Sequence, residues 1–119
     1  MSFYDVFVGS LEDPDFRWEG GNWDGNIPHA LTPDFPCGRR GFDEVLHRIE
    51  AGIYVGKQVD WGAWVAKVDK KHVKALLDDL YVTSPPPVPH LVDHLAKVRE
   101  AVERLESDRK YALVAYEAG

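Results

Sequence analysis

Hydrophobic residues recur along the chain with two different periods, and the strand-like segments stand out first. Aromatic and β-branched residues dominate 3–9, FYDVFVG, which predicts a strand. Further strands are predicted at 53–59 and 61–69, joined as a hairpin, and at 110–118. Because the first and last segments carry apolar residues on both faces, both are expected to be inner strands of one sheet.

Three other segments space their apolar residues along one face of a helix. The first, 42–52, carries a stripe made of Phe42, Val45, Leu46 and Ile49. The second, 69–81, opens with Asp69, a suitable N-cap residue. The third, 89–106, opens with Pro89, which is tolerated at the first position of a helix.

The predicted order is therefore β-α-β-β-α-α-β, with a long loop at 10–41 after the first strand. This order favours an α+β fold in which three helices pack on a mostly antiparallel sheet. The 119 residues suit a single domain, 1–119, because a chain of this length buries one core. The proline-rich stretch at 84–89 is predicted to be a stiff connector, too short to separate two domains.

The loop at 10–41 is unusual in its length and its aromatic content. It contains the stretch WEGGNWDG at 18–25, and its aromatic rings are Phe16, Trp18, Trp23 and Phe35. In one interpretation the rings fold back as a lid over one face of the sheet. In the other, some rings stay exposed and anchor a partner inside an acidic rim. A single loop does both when one face packs and the other is presented.

The net charge of −6 belongs to the N-terminal third of the chain. Residues 1–34 hold seven acidic side chains and one basic side chain, whereas residues 35–119 hold thirteen of each. This distribution argues against general nucleic-acid binding, which needs a basic surface to displace counterions. It suits a basic partner, a cation or mimicry of nucleic acid, although a solvated loop would carry the same charge without any partner.

These features favour a small acidic binding protein over an enzyme. By analogy of size and charge, we expect an immunity-like or regulatory inhibitor that engages a macromolecular partner, first of all a protein, through residues 11–35. The residues expected to contact the partner are Phe16, Trp18, Glu19, Trp23, Asp24 and Trp61.

The competing hypothesis is a small-molecule-binding protein or small enzyme with a pocket between the sheet and the 10–41 loop. Its polar groups would come from CGRRG at 37–41. Arg39 and Arg40 are candidate anion ligands at the start of the first helix, and Cys37 is a candidate thiol nucleophile beside them. The sequence contains no recognisable nucleophile motif or acid–base pair, so no catalytic residue is assigned.

His90 and His94 are the candidate metal ligands, since their spacing places both imidazoles on one face of a helix. A third ligand would have to come from elsewhere in the chain, such as His29 or His72, and the alternative is that the two histidines are exposed or lie at the edge of the buried stripe. The stretch DPDFRWEGGNWDGN carries oxygen side chains but lacks the register of an EF-hand calcium loop. No cofactor is expected.

The sequence also predicts a cytoplasmic setting. The first residues lack the basic start and apolar core of a signal peptide, and no run approaches the length of a membrane helix. The single cysteine, Cys37, excludes an intramolecular disulfide. We therefore expect no membrane partner, and the sequence leaves the oligomeric state open.

Overall fold

The computed structural model describes residues 3–19, 25–81 and 89–118. Its elements, in chain order, are β1 (Phe3–Gly9), α1 (Gly38–Glu50), β2 (Val55–Asp60), β3 (Ala63–Asp69), α2 (Lys70–Tyr81), α3 (Pro89–Glu103) and β4 (Lys110–Ala118). This order confirms the predicted α+β class. The predicted connector at 84–89 lies outside the described residues except for Pro89, which begins α3 as predicted.

Among the described residues, four strands form one antiparallel sheet in the order β1-β4-β3-β2. β4 is an inner strand, paired with β1 on one side and β3 on the other. β1 lies at an edge of the sheet. The expectation of two inner terminal strands is therefore confirmed for β4 and wrong for β1.

The edge strand β1 is apolar on both faces because neighbouring chain covers it. α1 packs on one face, and residues 30–35 run along the outer edge. There the Leu31 N–H donates to the Val8 carbonyl and the Phe35 N–H donates to the Val6 carbonyl, both at 2.7 Å. These bonds protect an edge that would otherwise be free to pair with another chain.

The three helices cover one face of the sheet and enclose the main core, in which Leu76, Leu77 and Leu113 are fully buried. α1 begins at Gly38, four residues before the predicted start. The prediction missed this first turn because residues 38–41 hold no large apolar side chain that would extend the apolar stripe. Asp69 caps α2 as predicted. Its carboxylate accepts the His72 N–H at 2.9 Å, and the Asp69 N–H donates to His72 Nδ1 at 3.3 Å.

The opposite face of the sheet is covered by residues 11–19 and 25–29, which we call the lid. Phe16 is the centre of this packing, with only 4% of its surface exposed. It belongs to a second apolar cluster with Val59, Val65 and Val114 from the sheet. Leu11, Trp18 and Ile27 pack around the margin of this cluster. The lid therefore gives the sheet a second, smaller core.

A fully buried asparagine fastens the two arms of the lid to each other and to the sheet. The Asn26 side-chain oxygen accepts the Arg17 N–H at 2.8 Å, and its amide nitrogen donates to the Arg17 carbonyl at 3.0 Å. The same nitrogen donates to the Val59 carbonyl at 3.3 Å. Buried polar groups that are fully paired in this way fix a single arrangement of the chain.

The β2–β3 turn depends on Gly62, which has φ = 79° and whose carbonyl accepts the Glu117 N–H at 2.8 Å. A Cβ at this position would lie 2.6 Å from the Glu117 carbonyl oxygen. We expect Gly62→Ala to lower the free energy of unfolding by about 2–4 kcal/mol, from left-handed strain together with this overlap. Urea denaturation measures the loss.

Gly52 provides the matched control for Gly62. It has φ = 77°, but its added Cβ would meet no atom of the described residues within 4 Å. Gly52→Ala therefore carries only the conformational cost, about 1 kcal/mol. Equal losses in the two variants would show that contact with β4 does not restrain the turn.

Candidate functional site

One end of the sheet combines exposed aromatic rings with acidic side chains. We call it the Trp61 end, and it comprises residues 3–5, 60–63 and 116–117. The strand register brings these segments together, because Asp5 and Ala63 both pair with Tyr116 on β4. The Trp61 side chain is 86% exposed and that of Phe3 is 61% exposed. Large apolar side chains exposed together on a folded surface are typical of an interaction site.

Hydrogen bonds hold the backbone beneath Trp61 in place. One Asp60 carboxylate oxygen accepts the Trp61 N–H at 2.6 Å, and the other accepts the Gly25 N–H of the lid at 3.0 Å. On the other side of the turn, the bond from Glu117 to Gly62 joins it to β4. The turn is thus attached to both the lid and the sheet. A partner would meet a backbone that is already ordered, which reduces the entropy lost on binding.

Three strand residues at the Trp61 end, Asp5, Asp60 and Glu117, are acidic. Asp5 and Glu117 lie on neighbouring strands, one residue out of register, while Lys110 begins β4 at its opposite end. Burial raises the pKa of Asp34, and the nearby Asp5 carboxylate raises it further, whereas His94 acts in the opposite direction. On the helix side of this end, Arg39 lies 5.9 Å from the centre of the Tyr4 ring.

The other residues predicted to contact a partner lie in different environments. Phe16 is buried beneath the lid, so its ring forms no part of the exposed surface. Trp18 is half-buried, and its ring centre lies 4.7 Å from Lys57 Nζ and 4.3 Å from Lys67 Nζ. These cation–π contacts attach the lid to β2 and β3. Glu19 is exposed, whereas Trp23 and Asp24 lie outside the described residues.

No protein-family model, no curated protein and no solved structure matches the chain. Its function is therefore inferred from its own residues.

Both arginines predicted to bind an anion at the start of α1 have partners within the protein. Arg39 Nε lies 3.6 Å from an Asp43 carboxylate oxygen, and both side chains are largely exposed. Arg40 donates to the Leu80 carbonyl at 2.8 Å, near the end of α2. An incoming anion would have to compete with these contacts, and anion binding by the pair stays a prediction.

The Cys37 thiol lies where α1 begins, packed against the first turn. Burial raises its pKa to about 11, and the nearby Tyr81 hydroxyl and Arg40 guanidinium act in the opposite direction. The thiol is therefore protonated at neutral pH, whereas a nucleophilic cysteine must be a thiolate.

This protonation state predicts slow chemistry at Cys37. At pH 8, we expect the native protein to react with iodoacetamide at least about tenfold more slowly than the urea-unfolded chain, whose thiol has an ordinary pKa near 8.5. Mass spectrometry of the alkylated protein over time measures both rates. Equal rates would mean that the folded thiol is accessible and ionised.

The two candidate metal ligands on α3 have different surroundings. His90 is exposed at the first turn, and His94 Nε2 lies 2.5 Å from the Asp34 carbonyl oxygen. His72, one of the suggested third ligands, caps α2 and packs on Tyr54. His29, the other, lies in the lid next to Asp15. Metal binding by His90 and His94 stays a prediction.

Two further observations concern surfaces away from the Trp61 end. A groove of about 610 Å³ lies on the helix side, and the residues lining it include Lys70, Lys74, Asp78 and Ser107. Lys70 and Lys74 already pair there with Glu103. Within the described ranges, no helix combines the length and the apolar content that a membrane crossing requires.

Proposed function

We propose that this protein is a small acidic binding protein, of the immunity-like or inhibitor type, that docks on a basic surface of another protein through its Trp61 end. The observation that supports this most strongly is the exposure of Trp61. Its ring is 86% exposed on a turn that is hydrogen-bonded to both the lid and β4. Such a side chain contributes little to the stability of the fold.

The same ring would contribute substantially to binding. A tryptophan buries about 150–250 Å² when a partner covers it. Anchors of this kind, placed centrally with a polar rim around them, supply most of the binding energy at protein interfaces. At the Trp61 end, Phe3 is a second exposed aromatic side chain, and Asp5 and Glu117 supply acidic groups. This composition fits an aromatic anchor within an acidic rim.

Charge supports a basic partner. The nine residues of the Trp61 end hold three acidic side chains and no lysine or arginine, and the wider surplus of six negative charges belongs to the first 34 residues, which include the edge strand β1 and the lid. Complementary charge accelerates the encounter between proteins and selects among partners. We therefore expect association to slow as salt screens these charges.

The competing hypothesis placed a small-molecule pocket between the sheet and the 10–41 loop, and it receives less support. Phe16 fills the space under the lid, where it packs with Val65 and Val114. The protonated Cys37 thiol also weighs against catalysis by that residue.

Site-specific photo-crosslinking tests the proposal. A photoreactive amino acid is placed at position 61 in one variant and at position 92 in the other, because Val92 is also exposed, at 50%, but lies on α3. Both proteins are incubated with lysate, irradiated and analysed by mass spectrometry. We expect position 61 to crosslink to a basic segment of a specific protein, and position 92 to give little product. Equal crosslinking from both positions, or attachment to acidic segments, would contradict the proposal.

A further inference from the structure

Three side chains capable of binding a metal converge in the lid, away from the Trp61 end. Asp13 and Asp15 lie on its first arm, and His29 lies on its second arm. One ligand atom from each lies within 4.8 Å of the other two. The set combines two carboxylates with a ring nitrogen from His29, which lies 14 residues after Asp15 in the sequence.

The backbone positions this set before any ion binds. One Asp13 carboxylate oxygen accepts the Asp15 N–H and the other accepts the His29 N–H, each at 2.8 Å. Asp13 thereby connects the backbones that carry the other two ligands. Each of its oxygens keeps a second lone pair for a cation. Because Asn26 fastens the same two arms, the separation of the ligands is set by the fold.

The distance between the imidazole and the second carboxylate fits shared coordination. His29 Nε2 lies 2.9 Å from an Asp15 carboxylate oxygen. Two ligand atoms that are each about 2.1 Å from a tetrahedral zinc ion lie about 3.4 Å apart, about half an ångström more than this separation. An ion could therefore replace the proton between these groups without a large change in their separation. Both side chains are largely exposed, so water can complete the coordination shell.

The donor types indicate which ion would bind. Calcium and magnesium prefer shells made only of oxygen, whereas an imidazole favours zinc and similar transition-metal ions. We propose that Asp13, Asp15 and His29 form a binding site for a divalent transition-metal ion of the zinc type, which links the two arms of the lid. The site is independent of the predicted His90–His94 pair, and it does not depend on the proposed partner surface.

The proposal predicts a change in the lid as well as binding. An ion held by both arms binds the folded state and not the unfolded chain, so it should raise the thermal midpoint of the protein. The ligands flank Phe16, the centre of the packing beneath the lid. Loss of the ion should therefore increase the exchange of lid amides and leave amides of the helical core unchanged.

Isothermal titration calorimetry with zinc chloride, in a non-chelating buffer, tests the site. The wild type is compared with His29→Gln and Asp15→Asn, whose altered side chains are exposed, and with His47→Gln as the matched control, because His47 is an exposed histidine on α1 that belongs to no candidate site. We expect one zinc ion per chain, an affinity at least about tenfold weaker in the two lid variants, and wild-type affinity in the control. Zinc should raise the thermal midpoint of the wild type but not that of His29→Gln. In the wild type, calcium should bind far more weakly.

Three results would overturn the inference. They are the absence of zinc binding by the wild type, unchanged zinc affinity in His29→Gln, and calcium binding as tight as zinc binding. Weaker zinc binding by His47→Gln alone would place the ion on α1 and would be a fourth contradicting result. Because none of these variants alters the Trp61 end, failure here is distinguishable from failure of the proposed partner surface.

Discussion

Replacement of Phe16 by alanine is expected to lower the free energy of unfolding by about 3–5 kcal/mol, the usual cost of deleting a buried phenyl ring. The ring is 4% exposed and packs with Val59, Val65 and Val114 beneath the lid. Its removal would leave a cavity between sheet and lid that the backbone cannot close, because Asn26 fixes both arms to the sheet. Urea denaturation followed by circular dichroism measures the difference.

Leu31 supplies the control for this experiment. It follows the lid in the chain and is 49% exposed, so its truncation removes little buried surface. Leu31→Ala should therefore cost less than about 1 kcal/mol. A loss that small for Phe16→Ala would mean that the lid does not pack on the sheet.

Replacement of Trp61 by alanine is expected to weaken partner binding and to leave the stability of the fold nearly unchanged. The free energy of unfolding should change by no more than about 0.5 kcal/mol, because the ring is mostly exposed and contributes little packing. The dissociation constant for the protein partner should rise at least about thirtyfold, which corresponds to a hot-spot loss of about 2 kcal/mol. Calorimetry with the purified partner measures the affinity, and urea denaturation measures the stability.

Two further variants test whether the loss of affinity is specific to Trp61 or follows from removing any exposed apolar side chain. Trp61→Phe should retain part of the affinity, because a smaller ring still fills part of the same pocket. Val55→Ala removes an exposed apolar side chain at the other end of the β2–β3 hairpin and should leave the affinity unchanged. If Trp61→Ala unfolds the protein, or binds the partner as tightly as the wild type, the assignment of Trp61 as the anchor fails.

The regular elements were predictable because their signals are local. The apolar runs at 3–9 and 110–118 and the stripes on the helices predicted the correct order and nearly correct bounds. The position of β1 at the edge was not predictable. Val6 and Val8 are buried in the main core and Phe7 packs partly against the lid cluster, although β1 is an edge strand. A hydrophobic pattern reports that a side chain is buried and does not identify what covers it.

The candidate site was only partly predictable for the same reason. Composition drew attention to the tryptophans, but it could not distinguish Phe16, which packs inward, from Trp61, which is exposed at a turn. The metal-ligating set could not be found by spacing, since His29 joins Asp13 and Asp15 only after the lid folds. The sequence gives only a weak signal for this set, because an Asp-Pro-Asp stretch followed by a single distant histidine matches no metal-binding motif of fixed spacing.

The most direct test of the account is an NMR titration of the uniformly ¹⁵N-labelled protein with its unlabelled partner. We expect the largest changes in amide signals to cluster at the Trp61 end, in residues 3–5, 60–63 and 116–117, and to diminish as salt is added. The amides of α2 and α3 should stay nearly unchanged. Changes concentrated on those helices, with the Trp61 end unaffected, would contradict the claim that this acidic end of the sheet is the recognition surface.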